Sequence, residues 1–152
     1  DKKYLFCVVC MFRKILVAID GSEPANRALE EAIGEAGVWN AEVHVVYVVE
    51  SGLFSSLPMD NTLEVMYSVL QKEGKEVLEA ARKKADAAGV SLTTHLGQGH
   101  AGSQIVALAK ELGVDLIMLG SYGKSGVDRL LLGSVTDYVV RNSSITTTVV
   151  RS

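Results

Sequence analysis

Lys14-Ile15-Leu16-Val17-Ala18-Ile19-Asp20-Gly21-Ser22-Glu23-Pro24 decides how the rest of the chain is read. Ile15 to Ile19 is an unbroken apolar run with no polar alternation, which is the pattern of a strand covered on both faces. Asp20 and Gly21 then break it. Ser22 is a good helix N-cap and Pro24 suits a first helical turn. Ala25, Ala28, Leu29, Ala32, Ile33 and Ala36 follow at helical spacing, and Gly37 is expected to end that helix. A doubly covered strand followed at once by a helix needs a parallel partner strand, reached by a crossover.

The same unit repeats downstream. Glu42–Val49 reads as a second strand, followed by a loop from Ser51 to Asp60. Leu63–Ala88 reads as one long helix carrying Leu63, Met66, Leu70, Val77, Leu78, Ala81 and Ala85 on a stripe, with Gly74 as a weak point and Gly89 as the stop. Val90–Leu96 is a third strand, Ser103–Leu112 a third helix, Asp115–Leu119 a fourth strand, Gly133–Arg141 a fourth helix and Thr146–Val150 a fifth strand. Strands alternating with helices predict an α/β fold: an open five-stranded parallel sheet with helices on both faces, in three layers. Ligands of such sheets bind beyond the carboxyl ends of the strands, where strand order reverses. That points to Asp20, Val48 to Glu50, Gly97 to Gly102 and Gly120 to Gly126.

Composition bounds the function. The chain has 152 residues, enough for one domain, with 48% apolar and 22% charged residues, the balance of a water-soluble globular protein. A net charge of −3 argues against a general nucleic-acid binder and against a polybasic membrane anchor. No run approaches the roughly 20 apolar residues that span a bilayer. Met11 opens a clean strand pattern, so residues 1–10 are expected to be a leader or an added extension, with a single domain over 11–152. Cys7 and Cys10 form a lone Cys-x-x-Cys with no helix after it, and His44, His95 and His100 are too scattered to complete a zinc set. Trp39 is expected to pack beside the end of the first helix, His44 to be structural, and Met59 and Met66 to fill core or loop space.

Three glycine patterns compete. Gly97-Gln98-Gly99-His100-Ala101-Gly102 is a formal Gly-x-Gly-x-x-Gly, but it falls in the third strand–helix unit, and Asp115 stands at a strand start rather than a strand end. A tight loop explains it better than a dinucleotide site. Gly123-Lys124-Ser125 mimics the end of a Walker A loop, yet the position five before Gly123 is Met118, inside a strand. The third pattern is Gly120-Ser121-Tyr122-Gly123, nine residues, then Gly133-Ser134. Glycines there let the backbone approach an anion, successive N–H groups can form a nest, and the helix start adds unpaired donors and a positive dipole end. Ser134 can add a hydroxyl, and Lys124 and Arg129 mobile positive charge. Spacing alone leaves two readings open, a polyphosphate cradle and a long loop with a capped helix.

The chain resembles the universal stress protein family. The residues that carry the resemblance are Lys14 to Glu23, Gly113 to Gly126, and Leu130-Leu131-Leu132-Gly133-Ser134-Val135-Thr136, within a match over residues 12 to 151. The spacing Gly-x2-Gly-x9-Gly-[Ser/Thr] is that family's nucleotide signature and is intact, as in its ATP-binding branch. The resemblance implies a Rossmann-like sheet akin to the adenine nucleotide alpha hydrolases, with ATP as ligand and Mg2+ or Mn2+ bridging its phosphates. By position, Ala18 and Asp20 would meet the adenine and ribose side, and Val48 would pack on adenine. Gly120, Ser121, Tyr122, Gly123, Lys124, Ser125 and Gly126 would wrap ribose and phosphates. Gly133, Ser134, Val135 and Thr136 would bind phosphates. It also implies a cytoplasmic homodimer joined through Thr146 to Val150.

Three departures stand out. Tyr122 replaces a common His, Ala101 falls where Gly-x-Pro is common, and Ser144-Ile145-Thr146-Thr147-Thr148 replaces the usual proline and apolar run before the last strand. The expected function is an ATP-binding regulatory or stress-response module with little or no turnover. The alternatives are a slow ATPase or nucleotidyl-transfer enzyme on the same fold, and a nucleotide-free dimeric scaffold. The first loop, Asp20-Gly21-Ser22-Glu23, lacks the His-x-Gly-His and Ser-Gly-Gly-x-Asp-Ser patterns of related enzymes. No group near the cradle is marked as a general base.

Overall fold

The computed structural model describes residues 12–52, 56, 58, 60–124 and 132–151. The readings of residues 1–10, Met11, Cys7, Cys10, Met59, Ser125, Gly126 and Arg129 lie outside them. The described elements run β1 (Lys14–Ala18), α1 (Glu23–Trp39), β2 (Glu42–Glu50), α2 (Asn61–Ala87), β3 (Leu92–Gly99), α3 (Ala101–Leu112), β4 (Leu116–Gly120), α4 (Ser134–Asn142) and β5 (Thr146–Val150). Every pairing is parallel and the strand order is β3-β2-β1-β4-β5. The chain winds outward from β1 to β3, then crosses back to β4 and out to β5. Strand order therefore reverses between β1 and β4, and the cleft of such a sheet opens at that reversal.

Alternating residues of the central strands serve two separate cores. Ile15 and Val17 pack with Ala28, Leu29 and Ala32 of α1 and Leu78, Ala81 and Ala85 of α2. Leu16 and Ile117 pack with Ile105 and Ala109 of α3 and Val139 of α4 on the opposite face. Both faces of β1 are sealed from water, which is what its unbroken apolar run requires.

Element ends are set by caps. Ser22 Oγ accepts from the Ala25 amide at 3.4 Å, and Asp60 Oδ1 accepts from the amides of Thr62 and Leu63 at 3.0 and 3.2 Å. Gly37 does not end α1. The helix continues to Trp39 and closes on Asn40 at φ 54°, because Asn tolerates the left-handed conformation that most L-residues avoid. Gly89, by contrast, does lie just past the end of α2, at φ 70°.

The third strand also runs further than its apolar pattern suggests. Pairing with β2 extends to Glu50↔Gly99, so Gly97-Gln98-Gly99 is strand, and the helix begins again at Ala101. The expected glycine loop shrinks to His100, whose Nδ1 accepts from the Ser103 amide at 3.2 Å. Gly102 is needed for packing, since a Cβ there would stand 2.5 Å from the Tyr138 ring. At the bottom of the sheet, Asp115 accepts from the amides of Arg13 and Lys14 and pins the start of β4 to that of β1. His44 is buried in the sheet: its Nδ1 lies 2.9 Å from His95 Nε2 and its Nε2 2.6 Å from Glu42 Oε1.

Candidate functional site

A cleft of about 320 Å³ opens at the carboxyl ends of β1 and β4, within the size range of small-molecule sites. Its apolar wall includes Ala18, Val46, Val48, Ile105 and Leu119, and its polar side includes Asp20, Ser22, Gly123, Lys124 and the start of α4. Of the sequence-derived site residues that are described, Ala18, Asp20, Val48, Gly120, Tyr122, Gly123, Lys124, Gly133, Ser134, Val135 and Thr136 all line this cleft. Ser121 is buried behind it.

The two chain reversals that sequence separates by nine residues meet directly. The Gly133 amide donates to the Ser121 carbonyl at 2.8 Å. A Cβ on Gly133 would lie 3.2 Å from the Tyr122 Cα, so glycine permits the close pass. This contact commits the Gly133 N–H to the protein. Helix α4 then starts without a side-chain cap hydrogen bond. The amides of its first turn, Ser134, Val135 and Thr136, have no acceptor within the helix, and with the dipole they form an anion-binding end. The Thr136 hydroxyl is buried and donates to the Gly120 carbonyl at 2.7 Å, tying α4 to the tip of β4.

Asp20 closes the opposite side. Its Oδ1 accepts from the Ser22 amide at 2.9 Å and its Oδ2 from the Lys124 amide at 3.0 Å. One carboxylate thus clips the β1 turn to the glycine loop, although each oxygen keeps a lone pair for a further donor. Gly123 faces it closely, since a Cβ there would come 2.6 Å from Asp20 Oδ2. Gly120 passes under the first turn of α1, where a Cβ would stand 2.7 Å from backbone atoms of Pro24 and Ala25.

Three polar groups behave differently from their sequence reading, or were not singled out at all. The Lys124 ammonium does not hang free between the two halves of the cradle; it is paired with Glu73 of α2, and that hydrogen bond holds its pKa above the ordinary lysine value. Glu50 closes the first glycine pattern, Gly97 to Gly102, to phosphate: its Oε2 accepts from the Ala101 amide at 2.9 Å, so a carboxylate already stands at the start of α3. Glu73 carried no signal in sequence, being one of several acidic residues on a long amphipathic helix. Among the described residues, no group of three or more His, Cys, Asp or Glu side chains is placed to hold a metal ion. Nor is any helix long and apolar enough to cross a membrane.

A family model described as "Universal stress protein family" matches residues 11–151. The chain is 36% identical to the universal stress protein MJ0531 of Methanocaldococcus jannaschii, over 93% of this chain and 83% of that one. The solved structure of hypothetical protein MJ0577 superposes with a TM-score of 0.83 at 30% identity, covering 93% of this chain and 97% of the other. A universal stress protein solved in complex with cAMP matches at 26% identity and TM-score 0.66, over 92% and 97% of the two chains.

Proposed function

This chain belongs to the universal stress protein family, and we propose that it is an ATP-binding regulatory module with little or no catalytic turnover. The observation that carries the reading is the junction of Ser121 with Gly133. It sets the glycine turn beside the uncapped start of α4 at one mouth, so backbone amides from both can face the same phosphates. The apolar wall at Ala18 and Val48 suits a purine, and Asp20 offers acceptor capacity to ribose hydroxyls. That a relative was solved with cAMP supports an adenine nucleotide as the ligand.

The residues present fit ATP by shape and donor set, and a divalent ion would be held mainly by the phosphates it bridges. Low turnover follows from how the nearby acids are used. Asp20 faces the ribose side in this reading and Glu50 is held at the start of α3 by the Ala101 amide, so neither is placed to orient a water attacking the terminal phosphate. The reading carries a cytoplasmic location with it, since that is where ATP is held. It also carries a homodimer through the edge strand β5, whose exposed Thr146 and Thr148 keep strand propensity with little apolar area. Sedimentation equilibrium tests the dimer; a monomer at micromolar concentration refutes it.

Equilibrium titration with ATP, run beside a long phosphate-release assay, tests the main claim. Saturable binding with turnover well below about 1 s⁻¹ is expected; turnover at that rate or above would make the protein an enzyme. No binding would leave a nucleotide-free scaffold. Mass spectrometry of the small molecule retained on gentle purification identifies which adenine nucleotide is held.

A further inference from the structure

Lys124 lines the cleft, yet its ammonium is turned onto a helix that contributes no residue to the cleft lining. We propose that Glu73 is a positioning residue for the nucleotide site: its carboxylate parks the Lys124 ammonium away from the phosphates, and a polyphosphate must draw that ammonium off Glu73 to engage it. This rests on the ATP-binding reading above.

The packing of α2 explains why Glu73 stands where it does. The next residue, Gly74, presses so closely on the sheet that a Cβ would lie 2.7 Å from the Tyr47 ring and 2.9 Å from Leu96. Tyr47 is buried, so the helix has little freedom to slide, and Glu73 is held at the rim. The Lys124 side chain crosses the β1 turn to reach it. A Cβ on Gly21 would touch both Lys124 Cε and Val77 of α2 at 3.6 Å, which traces the path of the stem. The Lys124 amide is fixed to Asp20 Oδ2 at 3.0 Å, so the backbone stays and only the flexible four-carbon stem need move.

Energetics allow the exchange. The two side chains are 50% and 39% exposed, and solvent-exposed Lys–Glu pairs are weak and easily exchanged. An ammonium already charged and already at the mouth loses one carboxylate and gains a polyphosphate of higher charge. The gain grows with the number of phosphates, so the pair tunes discrimination among ATP, ADP and AMP and leaves recognition of the nucleoside untouched.

Calorimetric titration of adenosine, AMP, ADP and ATP tests this on the full chain as wild type, Glu73→Gln, Lys124→Met and the double variant. Glu73→Gln should tighten ATP by about two- to fivefold, the range set by an exposed pair. AMP should change less and adenosine not at all, and the ATP gain should vanish in the Lys124→Met background. An unchanged or weakened ATP affinity in Glu73→Gln overturns the proposal. So does a gain that persists without Lys124, which would be plain repulsion by Glu73. If the wild type binds none of the four ligands, the ATP-binding reading falls as well; if it binds ATP and Glu73→Gln changes nothing, only the positioning role falls.

Discussion

Replacing glycine by alanine should have opposite effects at two positions of this chain, and the sign can be worked from the space around each. Gly120 ends β4 and does not use a positive φ, so alanine is conformationally acceptable there. The added methyl would nevertheless stand 2.7 Å from the Pro24 carbonyl carbon, the Ala25 amide nitrogen and the Pro24 Cβ, about 0.7 Å inside ordinary contact at 3.4 Å. Two of these atoms are backbone in the first turn of α1, which the Ser22 cap and the buried Ala28 and Leu29 hold in place. Relief needs helix and strand to part, and overpacking of that kind costs about 1–3 kcal/mol.

Gly34 lies in the exposed interior of α1 with nothing within 4 Å of a Cβ. There only the backbone preference acts, and alanine should stabilise by about 0.5–1 kcal/mol. At about 2–4 °C per kcal/mol for a chain of this length, Gly120→Ala should lower Tm by roughly 2–12 °C and Gly34→Ala raise it by roughly 1–4 °C. Thermal unfolding followed by the fluorescence of Trp39, the single tryptophan, reads both, because Trp39 Nε1 donates to Glu35 Oε2 within α1. A Gly120→Ala midpoint at or above wild type refutes the steric argument. Equal losses at both sites would refute the distinction between them.

Gly123→Ala should drive Asp20 off the Lys124 amide, since the methyl would come 2.6 Å from Asp20 Oδ2. Calorimetry should then show ATP affinity reduced at least tenfold, while circular dichroism reports a folded chain. Thr136→Val removes the buried donor to the Gly120 carbonyl. Urea unfolding should report a loss of about 1–3 kcal/mol, the cost of leaving a buried acceptor unpaired. Burial first, and then His44, hold the His95 imidazole below its ordinary value of 6.5 against the opposing pull of Glu111. The unfolded chain therefore takes up a proton before the folded one does. Stability is complete above about pH 6.5 and declines as pH falls below it, until the folded His95 itself protonates. Melting curves of His95→Asn should show a shallower acid decline than wild type.

Local chemistry wrote most of the fold into the sequence. The apolar run Ile15–Ile19 and the helical stripe from Ala25 to Ala36 required a doubly covered parallel sheet, and Gly120, Gly123 and Gly133 marked where backbone comes close. These signals are readable because period, caps and missing side chains are properties of neighbouring residues. Where local signals weaken, boundaries moved. Asn40 rather than Gly37 took the left-handed position, and pairing with β2 carried β3 on to Gly99. Which groups meet across the cleft was decided only by the tertiary structure. Nothing along the chain ties Gly133 to Ser121, Asp20 to the Lys124 amide, or Glu73 to the Lys124 ammonium, 51 residues away. Those contacts exist because strand order reverses between β1 and β4 and because Gly74 lets α2 press onto Tyr47. They are long-range consequences of packing, with no local signature in the chain.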